Sequence, residues 1–107
     1  MRDRIEINKD MIPYQFDLIL AGKQFTLAVD YNSNADLFTV SLYDSDGRLL
    51  CAGEPLIYGS PLFHDVYRAG HFPAVALVPL DESNHESAVT WDNLGKTVFL
   101  TVDDEEG

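Results

Sequence analysis

Apolar and polar side chains alternate along most of this chain, and this period of two restricts the chain to β structure. In the first alternating run, Phe16 and Leu18 fall on one face while Asp17 falls on the other. Residues 24–31 repeat the pattern with Phe, Leu, Val and Tyr on one face. The intervening residues 21–23 contain a glycine, so the two runs predict an antiparallel hairpin.

Shorter runs of the same kind follow in the rest of the chain. They predict strands at 38–42, 48–52, 73–80 and 96–102, with possible resumed pairing at 56–58. Gly53, Glu54 and Pro55 are predicted to interrupt the fourth strand and to produce a bulge. Residues 59–72 read as a long loop with one helical turn near 62–67.

About six or seven short strands joined by turns predict an all-β fold. We expect a small single-domain barrel or sandwich of antiparallel strands. Little helix is expected, because no window shows a 3.6-residue period longer than about two turns. A length of 107 residues suits one domain. We divide the chain into an N-terminal arm at 1–11, a β domain at 12–102 and an acidic tail at 103–107 that is expected to fray.

The formal charge of the chain is -11, from 18 acidic and 7 basic residues. This charge repels nucleic acid and anionic membrane surfaces, and it favours basic protein partners. No run approaches the roughly 20 apolar residues of a membrane helix. Because the first six residues are charged and lack an apolar region, we expect no secretory signal and synthesis in the cytoplasm.

The residues that usually carry chemistry do not form a recognisable centre. Cys51 is the sole cysteine and lies in an apolar run, which predicts a buried, inert thiol. His64, His71 and His85 make no metal-binding pair, and the dyad of His64 and Asp65 lacks a nucleophile with a motif around it. The chain is therefore not expected to be an enzyme.

Two acidic segments resemble cation sites only superficially. Asp44, Asp46 and Gly47 have the spacing of a calcium loop, but Pro55 stands where that loop needs its glutamate. A hairpin turn accounts for the same residues, and residues 81–86 read as a solvated acidic surface loop. We find no phosphate-binding loop and no basic patch with aromatics, so we predict no cofactor, no metal and no catalytic or cofactor-binding residue.

Five aromatic residues fall outside the segments in which apolar and polar residues alternate clearly, and two alternatives for their role stay open. They form an interface patch, or they cover the open end of a barrel. These residues are Tyr58, Phe63, Tyr67, Phe72 and Trp91.

The order of several short motifs resembles a known family, the small baseplate plug domains of contractile-tailed phages, of the cyanophage plug type. The motifs are Ile12-Pro13 leading into Gln15-Phe16-x-Leu18, the turn at 22–25, Tyr31-Asn32, the hairpin and glycine at 44–53, the run at 56–59 with Leu62, and Asp92-x-Leu94-Gly95-x-x-Val98-x-Leu100. The resemblance covers 12–102. Tyr31 stands where the family usually has tryptophan, and residues 1–11 look like an added arm.

This resemblance implies a structural protein of a phage or prophage tail. Such proteins lie near the tail axis in the baseplate, join the tube or hub to neighbouring parts, and act through shape and strand edges. The expected partners are other tail and baseplate proteins, with a homo-oligomer possible in the assembled tail. The arm at 1–11 would order on assembly and extend a sheet.

Two other classes of function remain as alternatives on the sequence. The charge suits an acidic inhibitor that mimics DNA, although the acidic residues cluster in one loop and the tail instead of following one face. A ligand-binding β module would use Trp91, Tyr58 or Tyr67 as a stacking platform for a carbohydrate.

Overall fold

The chain folds into two antiparallel sheets that pack as a sandwich. The computed structural model describes residues 3–63 and 75–103. Its strands are β1 Asp3–Ile5, β2 Tyr14–Leu20, β3 Lys23–Asn32, β4 Leu37–Asp44, β5 Leu49–Pro55, β6 Ala76–Leu80 and β7 Phe99–Asp103. One sheet has the order β2-β3-β4-β5 and the other the order β1-β7-β6. The all-β prediction is confirmed, and of the two architectures the chain adopts the sandwich.

Helical structure is minimal in the part of the chain that the structure describes. A single 3-10 turn, Lys9–Met11, precedes β2, and the Asn8 side chain caps it by accepting a hydrogen bond from the Asp10 N–H. Among these residues, no helix has the length and apolar content needed to cross a bilayer.

The first hairpin forms as its alternation predicts. β2 and β3 pair without a break from Tyr14 opposite Val29 to Leu20 opposite Lys23. Ala21 and Gly22 make the two-residue turn with φ of 52° and 81°, as a type I′ turn requires. This turn suits the twist of the strands, and it fixes which residues face the second sheet.

The core lies between the central strands β3 and β4 and the smaller sheet. The inward side chains at 25–29 of β3 and at 38–42 of β4 are fully buried, while the outward side chains between them are polar or small, as strand periodicity demands. The fully buried side chains include Phe25, Leu27, Val29, Phe38, Val40, Leu42, Leu77, Val98 and Leu100.

β5 differs from the sequence prediction, because it continues to Pro55 and does not stop at residue 52. Its pairing with β4 shifts register twice, so the bulge lies inside the strand. Gly53 absorbs the extra residue with a φ of 66° and donates its N–H to the Ser41 hydroxyl. The predicted resumption at 56–58 is wrong, although the Leu56 N–H still donates to the Phe38 carbonyl.

The last strand begins three residues later than predicted. Residues 91–98 form a compact turn in which the Asn93 carbonyl accepts the N–H groups of Lys96, Thr97 and Val98.

β6 occupies the second half of the predicted strand at 73–80. The helical turn predicted at 62–67 falls, apart from residues 62 and 63, outside the described residues.

Residues 3–5, which the sequence assigned to an N-terminal arm, form β1. They pair antiparallel with β7, with Ile5 opposite Leu100. Ile5 and Ile7 pack against the core, and the Arg4 guanidinium lies 3.9 Å from the Phe99 ring centroid. This segment therefore already belongs to a sheet of its own chain.

Candidate assembly surfaces

The four edge strands of the two sheets are protected to different degrees. β6 is covered, because its Leu77 and Pro79 carbonyls accept the N–H groups of Leu62 and Gly59, each at 2.8 Å. β1 has only three residues, and β5 is bulged and ends in proline. β2 has seven residues in unbroken register and, among the described residues, pairs only with β3. β2 is thus the longest regular edge.

Large apolar side chains are exposed at both sides of the four-stranded sheet. Ile19 lies near the end of edge strand β2 and is 72% exposed, and Met11 precedes the same strand. Leu49 begins the opposite edge strand β5, and Ile57 follows it. These positions are the apolar contact points that the described surface offers to a neighbour.

The outer face of the four-stranded sheet carries a shallow depression of about 400 Å³. Ala28 and Gly53 are small, and Thr39 and Ser41 stand beside them. The polar side chain of Gln15 and the carboxylate of Asp30 line its margin. Such a surface can receive a protruding side chain of another protein, but it assembles no nucleophile with a base.

An aromatic cluster closes one end of the sandwich. The Trp91 ring stacks on Phe38 with 5.7 Å between centroids and an interplanar angle of 7°, and Tyr31 lies 4.7 Å from both rings. Lys9 donates to the Trp91 carbonyl and lies 5.4 Å from the centroid of its ring. Asp36 accepts bonds from the Tyr31 hydroxyl at 2.6 Å and the Trp91 N–H at 2.9 Å.

The acidic loop at 81–86 is organised around a buried carboxylate, which corrects the prediction of a wholly solvated loop. Asp81 is 4% exposed and accepts the backbone N–H groups of Ser83, His85 and Glu86 at 2.9–3.1 Å. Its pKa is lowered, chiefly by the hydrogen bond from the Ser83 side chain and also by these N–H groups, against the opposing effect of burial. The Tyr58 hydroxyl accepts the Asp81 N–H at 3.1 Å.

Of the five aromatic residues outside the predicted strands, the three that the structure describes contribute to the stability of the fold. Phe63 is buried, with its N–H bonded to the Glu54 carboxylate at 2.8 Å. Tyr58 and Trp91 are held by the contacts above, so neither is a free stacking platform. The positions of Tyr58, Phe63 and Trp91 favour the alternative in which these aromatics cover part of the fold over the alternative of an interface patch. Tyr67 and Phe72 lie outside the described residues.

The residues that were weighed for chemistry stay apart. Cys51 is half-buried, which corrects the buried thiol that the sequence predicted, and its pKa is raised by desolvation and by the nearby Glu54. His85 is exposed, with its Nδ1 3.2 Å from the Ser83 hydroxyl, while His64 and His71 fall outside the described residues. Within residues 3–63 and 75–103, no three His, Cys, Asp or Glu side chains converge to hold a metal ion.

The comparison with known families decides the class of this protein. Residues 2–105 match the family described as cyanophage baseplate Pam3 plug gp18. The chain belongs to this family. No curated protein matches it.

Membership of the plug family makes the chain a structural component of a phage tail baseplate, located in the virion tail, and not an enzyme. Its partners are other tail and baseplate proteins. The match extends over the N-terminal residues that the resemblance at 12–102 left out. The alternatives of a DNA mimic and a carbohydrate-binding module therefore give way to the structural role.

Sequence reasoning missed the three carboxylates that hold the loops of this plug-family domain together. Asp36, Glu54 and Asp81 each accept backbone N–H groups from their own loop or a distant segment. Asp81 and Ser83 are close in sequence and carry a signal for a side-chain turn. Asp36 and Trp91 are 55 residues apart, so no local pattern reports their contact.

Proposed function

We propose that this protein is a plug near the tail axis that holds neighbouring baseplate proteins together by protein–protein contacts alone, with more than one copy in each assembled tail. Family membership supports the baseplate role. The observation that supports bridging is the position of the exposed apolar residues: Ile19 and Leu49 lie on opposite edge strands of one sheet. A subunit with neighbours on both sides needs contact points on both edges.

The charge also suits assembly with other proteins. A formal charge of -11 opposes self-association of the free chain and steers it toward a basic surface. Several copies in one tail would then contact a basic surface of another protein and not one another.

Quantitative mass spectrometry of purified, intact tail particles tests the proposal. We expect this chain at a fixed ratio of a few copies per particle, and electron cryomicroscopy of the same particles should place it at the axis. Absence of the chain from intact contractile particles would contradict the proposal. A peripheral position would contradict the plug role while leaving a structural role.

A further inference from the structure

The edge of β2 opposite β3, which pairs with no strand among the described residues, presents a definite set of backbone groups. Leu20 and Lys23 flank a two-residue type I′ turn and therefore form a hydrogen-bonded pair. Because hydrogen-bonded and non-hydrogen-bonded pairs alternate along an antiparallel ladder, Gln15, Asp17 and Ile19 occupy the non-hydrogen-bonded positions. Their N–H and C=O groups point away from β3, toward the open edge.

The apolar row of the same strand is incompletely covered. Phe16 and Leu18 face the core and pack against it, yet both are only half-buried. Their partners on β3, Leu27 and Phe25, are at most 1% exposed. A further strand beside β2 would remove the remaining apolar surface of Phe16 and Leu18 from water and would gain ladder hydrogen bonds.

Charge argues against a second copy of this chain as the added strand. Asp17 is the sole charged residue of β2, at the middle of the strand. Two β2 strands paired antiparallel about that residue would place Asp17 opposite its own copy, and like charges in that position are destabilising. The two chains would also bring formal charges of -11 together.

We propose that β2 receives an extended segment of another baseplate protein as a fifth strand of its sheet. This segment alternates apolar and basic residues, so that its apolar side chains cover Phe16 and Leu18 while a basic side chain pairs with Asp17 on the outer face. This inference rests on the proposed bridging function, and it names the edge and the chemistry of one partner.

A proline at residue 19 tests the backbone part of the proposal. Ile19→Pro removes an outward N–H and leaves the ladder to β3 complete, whereas the matched variant Ile19→Thr removes the apolar side chain and keeps the N–H. We expect the threonine variant, which loses an apolar contact point, to enter tail particles about threefold less than wild type in competition. The proline variant should enter at least about tenfold less than the threonine variant, so that the difference between the two reports the outward N–H. Circular dichroism of each purified variant checks its folding.

A charge reversal provides a second test that does not touch the backbone. Asp17→Lys should also reduce incorporation by about tenfold or more, because it would face the basic side chain of the partner. The matched control is Asp92→Lys, at an exposed residue of the turn at 91–98, which makes the same change of charge outside the edge strands of the larger sheet. We expect this control to incorporate within about threefold of wild type.

The identity of the occupant is tested by cross-linking in assembled particles. A benzophenone amino acid in place of Gln15 should capture a segment of a different tail protein with alternating apolar and basic residues. Capture of a second copy of this chain would overturn the proposal. So would equal incorporation of wild type, Ile19→Pro and Asp17→Lys, which would leave the plug function intact. If wild type itself were missing from the particles, the proposed function would fall and the inference with it.

Discussion

At the scale of single residues, Asp36 joins parts of the chain that are far apart in sequence. Its carboxylate accepts the hydroxyl of Tyr31 at the end of β3 and the N–H of Trp91 in the segment between β6 and β7. The hydrogen bond to Asp36 is the main cause that raises the pKa of Tyr31 to about 12 and lowers the pKa of Asp36. The contact thereby ties the larger sheet to the loop that leads into the smaller one.

Removing the Tyr31 hydroxyl should therefore weaken the fold. Tyr31→Phe keeps the ring against Phe38 and Trp91 and is expected to lower the Tm at neutral pH by about 2–6 °C. Because the folded state raises the pKa, this stability is present below pH 10.0 and is lost as the pH rises through about 12. Thermal unfolding across that range should show the wild-type advantage disappearing.

The control for this prediction is Tyr43→Phe, at a tyrosine on β4 opposite Thr26. It should change the alkaline unfolding profile less than Tyr31→Phe does. The ultraviolet absorbance of tyrosinate is measured against pH in wild type and in Tyr31→Phe. The difference between the two curves reports the pH at which Tyr31 ionises. A Tyr31 that ionises near pH 10.0 would contradict the role assigned to the Asp36 contact.

Asp81 gives the corresponding prediction at acid pH. Its pKa is lowered, so its contribution to stability is present above pH 3.8 and is lost as the pH falls below that value. Asp81→Asn removes the charge and places an amide group, in part a donor, against the N–H groups of His85 and Glu86. We therefore expect a lower Tm at neutral pH, and a smaller decrease of Tm as the pH falls below 3.8. The control Glu82→Gln, at a side chain 3.5 Å from the Arg4 guanidinium on the surface, should have a small effect.

At the scale of elements, the two sheets are unequal in size and in protection. Four strands face three, and the smaller sheet obtains its first strand from the N-terminus. Its other edge, β6, is covered by the loop at 59–62 through two backbone hydrogen bonds. The larger sheet keeps the regular edge β2 uncovered among the described residues, which is why assembly is expected there.

Deleting residues 1–7 tests whether β1 stabilises the free chain. The deletion removes Ile5 and Ile7 from the core and opens the edge of β7, so urea unfolding should show a loss of about 2–3 kcal/mol. Deleting 104–107, part of the predicted acidic tail, is the control and should change stability by about 0.5 kcal/mol or less. An arm that orders only on assembly would leave the unfolding of the free chain unchanged.

At the scale of the whole molecule, the excess of negative charge opposes compaction. The chain carries a formal charge of -11 within a radius of gyration of 13.1 Å. Within the described residues, the side-chain ion pair between Arg4 and Glu82 lies at the surface and contributes little. Stability therefore depends on the buried core, and repulsion among the remaining carboxylates subtracts from it.

Salt should consequently stabilise this protein at neutral pH. Raising the ionic strength from about 0.01 M to about 0.15 M shortens the screening length from about 30 Å to about 8 Å, and we expect the Tm to rise by about 2–5 °C. Near the isoelectric point of about 4.3 the net charge vanishes, and the same change of salt should have little effect. An equal rise at both pH values would contradict repulsion as the cause.

The sequence by itself located the six strands β2 to β7 and the direction in which the side chains of the alternating strands point. Alternation placed Phe25, Leu27 and Val40 inward, and the glycine at residue 22 located the first hairpin, because period and turn chemistry act over a few residues. The order of short motifs also identified the family. The choice between barrel and sandwich stayed open, since it depends on which distant strands pair.

Only the tertiary structure decided the long-range features. Pairing of β1 with β7 joins residues almost a whole chain length apart, and the carboxylates of Asp36 and Asp81 acquire their roles from backbone groups that fold toward them. The position of β2 at the edge of its sheet likewise follows from which of the described strands pair with one another. Such contacts depend on the whole fold, because no local spacing in the sequence encodes the distance between two segments in space.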